Sequence, residues 1–470
     1  MNLLYNYSLF FKLLSFCIII LMSSCGKDEI LTSQSYSLSF SSSSIDFDTI
    51  FTNTGSITRQ LKIYNKNPGT IHIDSLFFSK NSDFFMNVNG MPGKSIHSIS
   101  IREGDSVFVF IQCFLSENNV DTTVFRGDSL GVTYNKKNIF IPINVAGQDV
   151  IYLNEGIHKD VTLHPGKPYI IKDSLVINKN SILTIEAGTR LFLHKGANII
   201  INGSLTIDGT IENPVIINSH RIEQAFQNTP GQWGSIIFNS SSRNNKISGA
   251  IIKNGVNGLL VYGNSEKQVD INIHNTYIQN MSASTLFAIN GAITASNSVF
   301  SNANRYIMAL QGGSYSFTHI TISNQGTLGG RDFLPSVRIS DFDLSSNDYI
   351  ALTEVNFKNS IIVGRLQNEI QTMYHSDNLN HNLLFSSCIV RTSLFNTKPE
   401  YFSSSYEEQI DEPLFKSIHS SNFTLDSLSQ AINKGNMDYA LNIPTDIAGN
   451  SRKNKTQPDI GAYEYTKPKD

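Results

Sequence analysis

Five segments in the C-terminal two-thirds of the chain carry one local signature, an apolar residue followed two positions later by asparagine. They are Ile252 with Asn254, Ile278 with Asn280, Phe300 with Asn302, Ile322 with Asn324 and Phe357 with Asn359, so the asparagines recur at spacings of 26, 22, 22 and 35. A unit near 22 residues with one insertion is the length of one coil of a parallel β-helix. Each coil offers a short strand that cannot bury its apolar side alone, so successive coils must stack on a shared core. Asparagine tolerates left-handed backbone and hydrogen-bonds its own turn, so asparagines repeated coil after coil form an internal ladder. That assigns them to the scaffold and not to a polar binding stripe.

The run from Ser174 to Ser219 has the same habit in tighter form. Its strands LVI, LTI, RLFL, NIII, LTI and PVII are punctuated by EAG, KG, NG and DG, the residues that tight corners need. This run, with PGQWGSIIF from Pro230 to Phe238, resembles the opening coils of right-handed β-helix repeat proteins of the pectate-lyase-like architecture. SLSQAINKGN and DIAGNSRKNKTQPDIGAYEY, the latter from Asp446 to Tyr465, resemble the terminal segment of secreted members. Together these matches imply a right-handed parallel β-helix over residues 150–465.

The preceding hundred residues read differently. IDFDTIF, RQLKIYN, IHIDSLFF, SVFVFIQCF, SLGVTYN and NIFIPINV are short β-type runs separated by KNPG, NGMPG and EGD turns. Such a series fits an antiparallel sandwich of immunoglobulin-like type over residues 45–149. FDTIFTNTGSITRQLKIYNKNPGTIHIDSL also resembles the N-terminal module of a family of Bacteroidetes lipoproteins that pair a sandwich with a β-helix. The expected fold class is therefore all-β, a β-sandwich followed by a right-handed parallel β-helix solenoid.

At the N-terminus, Leu9 to Met22 is apolar apart from Lys12 and Ser15, shorter than the roughly 20 residues of a spanning helix. It reads as the core of a signal peptide over residues 1–24. Leu21-Met22-Ser23-Ser24-Cys25 resembles the lipobox of bacterial lipoproteins, in which the cysteine thiol receives a diacylglycerol, the chain is cut before it and the new amine is acylated. The resemblance makes Cys25 a lipidation site and the membrane a partner through it, since two or three acyl chains hold a protein firmly where one does not. Gly26-Lys27-Asp28-Glu29 looks like the acidic signal that sends lipoproteins of Bacteroidetes-type bacteria to the outer face of the outer membrane. The serine-rich stretch that follows makes residues 25–44 read as a flexible tether.

Removing residues 1–24 takes away Lys12 and no acid, leaving 35 basic against 39 acidic residues, too little positive charge for a nucleic-acid grip. Cys113 and Cys388 sit in apolar strand-like runs and read as small buried hydrophobes in different domains. No CxxC or HExxH spacing points to a metal, and no cofactor is expected.

Catalysis on such a scaffold needs particular residues. A lyase of this architecture holds Ca²⁺ with carboxylates and takes a proton with Arg or Lys, and a hydrolase needs carboxylates clustered on adjacent coils. The best candidate is the insertion Gly329 to Tyr349, with Arg331 and Arg338 among Asp332, Asp341, Asp343 and Asp348, placed where a loop could wall a groove. Acids at alternate strand positions also simply face water, so the cluster names no catalytic residue. Trp233 reads as packing at a coil corner, and His194, His220, His274, His319 and His381 as scattered polar residues without partner spacing. The expectation is a lipid-anchored outer-membrane surface protein, non-enzymatic, that contacts polysaccharide or another surface component. The alternative is a polysaccharide lyase or glycoside hydrolase acting on an acidic glycan, with Ca²⁺ needed only under the lyase reading.

Overall fold

The computed structural model describes residues 29–80, 83–264, 267–325, 333–375, 382–409, 412–418, 420–453 and 455–467. Cys25, Arg331, Asp332 and His381 lie outside them. The chain divides into two units, Met1–Asp149 and Val150–Asp470.

The first unit is a sandwich of two five-stranded sheets. One runs Ser39–Phe40, Arg59–Tyr64, Ser106–Cys113, Phe84–Val88 and Met91–Gly93; the other runs Ile45–Phe51, Lys137–Gln148, Val124–Tyr134, Ile71–Phe78 and Ser95–Ile101. All neighbours are antiparallel except Ile45–Phe51, which lies parallel to Lys137–Gln148. The period of two decides what is inside: Val107, Val109, Ile111 and Cys113 are buried while Phe108, Phe110 and Gln112 point outward. Burial pushes the Cys113 thiol up to about 12, as expected of a small apolar filler.

Residues 29–44 do not form the free tether expected of a serine-rich stretch. Leu31 and Leu38 are buried in the sandwich core, Thr70 N donates to Glu29 O at 2.8 Å, and Leu38 N donates to the Tyr134 hydroxyl at 3.1 Å. Two apolar anchors seven residues apart outweigh the polar residues between them, because each buried leucine contributes about 2 kcal/mol.

The second unit is a right-handed parallel β-helix whose coils present three faces. The first face takes in strands Val215–Ser219, Ala250–Lys253, Tyr277–Met281, Val299–Ala303, Thr321–Asn324 and Ile361–Gly364 in succession. Its inward row is Ile217, Ile252, Ile278, Phe300, Ile322 and Ile362, each beside the next. The second face holds Leu259–Tyr262, the first part of Leu286–Ser296, the first part of Met308–Thr318, Val337–Ser340 and Ile370–Met373. The third holds Val269–His274, the later parts of the same two long strands, Leu352–Lys358 and Leu383–Ser386.

Four of the five asparagines sit on the first face as the repeat predicts, and each of three donates to the coil before it: Asn254 Nδ2 to Asn218 Oδ1 at 2.9 Å, Asn302 Nδ2 to Asn280 Oδ1 at 3.3 Å and Asn324 Nδ2 to Ala303 O at 3.0 Å. Asn359 does not belong to that row. Asn324 stands beside Gly364, whereas Phe357 pairs with Phe317 on the third face. Asn359 closes the next corner with Asn275, Asn297 and His319, all at positive φ. Either corner of a coil favours a left-handed residue after an inward apolar one, so the pattern alone does not say which corner it marks.

The described part of the insertion from Gly329 to Tyr349 is also not one loop. Val337–Ser340 is a regular strand of the second face, and only the following residues up to Ala351 leave the coil. Inside the third face, Phe317, Phe357, Phe385 and Phe402 stack with centroid separations of 4.8, 5.1 and 5.0 Å.

The C-terminal segment covers the outer side of the first face. Leu414, Phe415, Phe423, Leu425, Ile447 and Ile460 pack on the outward Val299, Ile361, Val363 and Ile389. The motif running from Asp446 to Tyr465 belongs to this strap. Fully buried Arg452 binds Glu464 Oε1 at 2.7 Å and Asn297 Oδ1 at 2.8 Å, and Gly461 N donates to Asn359 O at 2.8 Å. The corner ladder and the terminal motif are thus two halves of one joint.

Candidate binding groove

The corner between the second and third faces opens into a groove of about 490 Å³. Two turns build it. On one side the chain leaves Leu259–Tyr262 through Gly263 and Asn264, with Gly263 N donating to Ile289 O at 2.8 Å. In the next coil Asn290, at φ 48°, bends the strand Leu286–Ser296 through the corner, and its amide donates to Asn264 O. Lys267, Gln268, Asn264 and Asn290 line this side.

The opposite wall is the loop that follows Ser340, lining the groove with Asp343, Ser346, Asp348, Tyr349 and Ile350. Its shape is held from within. Asp343 Oδ1 accepts from the backbone and the hydroxyl of Ser345, each at 2.7 Å, and Asp343 N donates to Asp348 O at 2.9 Å. Burial raises the Asp343 carboxyl, but these donors and the Ser346 amide outweigh it and hold the group below its ordinary value. Asp341 is fully buried, accepting from His375 N at 2.6 Å, while Ile350 N donates to its carbonyl at 2.8 Å. Tyr349 stands 52% exposed on the wall, its ring edge-on to His375 with centroids 6.4 Å apart.

The four described charged residues of the insertion therefore part company. Asp343 and Asp348 share the groove, Asp341 is internal to the loop's base, and Arg338 lies on the second face with its guanidinium 4.3 Å from the Tyr306 ring centroid. Trp233 is fully buried, donating from Nε1 to Lys253 O at 2.8 Å. The histidines are less scattered than their spacing suggests. His194 and His220 directly follow neighbouring strands of the first face, and their rings stack at 3.9 Å. His274 Nδ1 is 2.8 Å from Ser296 Oγ, and buried His319 lies between Gly461 O and the Asn359 amide. Lys267, Gln268 and Asn290 are groove residues that the sequence reading does not single out; the turn GNSEKQ between two strands is the one local signal for the first two.

Among the described residues, no group of three or more His, Cys, Asp or Glu side chains is placed to hold a metal ion, and no helix is long and apolar enough to cross a membrane. Among the described residues, the groove offers one aromatic face, several amides and hydroxyls, one cation and two carboxylates. That set suits hydrogen bonding to a polar ligand with a flat apolar side.

A family profile described as a pectate-lyase like beta helix domain matches residues 155–279. No curated protein matches the chain. Among solved structures, a family 123 glycoside hydrolase from Clostridium perfringens shares 9% identity over 27% of this chain and 30% of its own, with a TM-score of 0.18. The chain therefore spans less than a third of that protein. The catalytic domain of a GH87 alpha-1,3-glucanase in complex with nigerose shares 10% identity over 72% of this chain and 81% of its own, at a TM-score of 0.24. The family 28 exopolygalacturonase of Yersinia enterocolitica shares 9% over 70% and 89%, at 0.20.

Proposed function

We propose that the protein is a lipid-anchored surface protein, tethered at Cys25 to the outer membrane, whose β-helix binds a polysaccharide without turning it over. The observation that carries this reading is the corner groove, an open channel lined by the exposed ring of Tyr349 together with amides from two coils. Its wall is braced because Asp343 is committed to the loop's own turn. Sugar rings combine flat C–H faces with dense hydroxyls, the complement of one aromatic and several amides.

The test is retention of the chain, from Cys25→Ser onward, on a panel of immobilised neutral and acidic polysaccharides. Retention by at least one polymer, weakened about tenfold in Tyr349→Ala because a stacking contact contributes about 1.5 kcal/mol, supports the reading. Retention unchanged in Tyr349→Ala removes the groove from it.

One observation favours a second reading, a hydrolase or lyase acting on an acidic glycan: Asp343 and Asp348 line the same groove. It requires that Asp343→Ala or Asp348→Ala abolish release of new reducing ends.

A further inference from the structure

The sandwich turns an aromatic face to solvent that the glycan reading does not use. Phe108 and Phe110, 38% and 42% exposed, lie with ring centroids 6.1 Å apart, and Phe85 on the neighbouring strand is 48% exposed. Two cations sit on these rings: Lys62 Nζ is 4.8 Å from the Phe108 centroid and 5.0 Å from that of Tyr64, and Lys94 Nζ is 5.0 Å from that of Phe85. The other outward positions on the strands Arg59–Tyr64, Ser106–Cys113 and Phe84–Val88 are Gln60, Ser106, Gln112 and Asn87, so these strands put no carboxylate on this face. The opposite sheet differs, since Asp46 and Asp74 point outward from it. Contiguous exposed aromatics interleaved with lysines mark an interaction surface, and the sign of the charge selects an anionic partner.

Chain connectivity chooses among anionic partners. Cys25 precedes Glu29 by four residues, and Glu29 O is held by Thr70 N at 2.8 Å. Four residues span at most about 14 Å. Thr70 lies between Arg59–Tyr64, the strand bearing Lys62 and Tyr64, and Ile71–Phe78 of the opposite sheet, and the anchored segment then joins the aromatic sheet as its edge strand Ser39–Phe40, which pairs with Ile63 and Tyr64. An acyl chain on Cys25 would hold this edge of the sandwich close to the bilayer. Aromatic rings and lysines are the side chains suited to the headgroup region.

We propose that the face formed by Tyr64, Phe85, Phe108 and Phe110, with Lys62 and Lys94, docks on an anionic lipid surface beside the anchor. Its place in the cell rests on the lipoprotein reading; the face itself is tested without the lipid. The probe is co-sedimentation of the chain from Cys25→Ser onward with vesicles of equal parts phosphatidylcholine and phosphatidylglycerol, against phosphatidylcholine alone. Binding to the mixed vesicles, weakened by salt, is expected. It should fall at least about tenfold in Phe108→Ser/Phe110→Ser and about fivefold for each of Lys62→Gln and Lys94→Gln, the loss of roughly 1 kcal/mol per lysine near such a surface. Unchanged thermal melting of these exposed variants keeps the comparison fair. Absence of sedimentation, or binding that all the variants retain, overturns the proposal. So does an acidic polysaccharide that binds the face while vesicles do not. Failure of Cys25→Ala to change membrane partition in cells would instead overturn the anchor alone.

Discussion

Arg452 shows what a single buried charge does here. It has no solvent exposure and joins the terminal strap to the corner ladder through Glu464 and Asn297. Lys455 Nζ, 3.0 Å from Glu464 Oε2, would still pair with that carboxylate, but Asn297 Oδ1 and the carbonyls of Gly461 and Ala462 would lose their buried donor, so Arg452→Met should lower the unfolding free energy by about 3 kcal/mol in urea denaturation, and a loss under about 1 kcal/mol would contradict that role. The stacked histidines give a pH signature. Burial, aided by His194 and Arg221 and opposed by the Leu193 carbonyl, lowers His220 from 6.5 to about 4. His194 is lowered as well, by burial and by Lys172, against Asp173. Between those values the unfolded chain binds a proton at His220 that the folded chain does not, so the stability contributed by this residue falls as pH falls from 6.5 toward 4, and that contribution levels off below. The pH dependence of the melting temperature should flatten over that window in His220→Gln; an unchanged slope would show that the pair does not titrate this way.

The coil is the element in which the chain's regularity resides. It is legible in the sequence because Ile252, Ile278, Phe300 and Ile322 repeat at a near-constant interval, and each neighbours the next in the stack. The fifth position misleads because Asn359 satisfies the same local rule at a different corner. The groove is half legible. An insertion announces a loop, and Asp343 and Asp348 do line the groove, but Val337–Ser340 inside that insertion is a strand whose apolar residues alternate as in any coil. Lys267 and Asn290 come from coils distant in sequence from that loop and are placed beside it only by stacking. The phenylalanine stack makes its own prediction. Phe357→Ala, between Phe317 and Phe385, should cost about 3–5 kcal/mol. Because the third-face strands pair only with those of adjacent coils, hydrogen exchange should rise first in the coils flanking it, and uniform loosening of the whole unit would contradict that picture.

At the scale of the molecule, two all-β units take separate tasks in the proposed reading: a sandwich held near a membrane by Cys25 and by its aromatic face, and a solenoid that presents a braced groove. A groove with a braced wall suits binding, and among the described residues Asp343 and Asp348 are the groove carboxylates through which turnover would run. The most direct test of the central claim is release of new reducing ends from whichever polysaccharide the chain retains, measured with and without Ca²⁺ on the folded protein from Cys25→Ser onward. Binding with no new ends under either condition is the predicted result. New ends that disappear in Asp343→Ala or Asp348→Ala would contradict it and make the groove an active site.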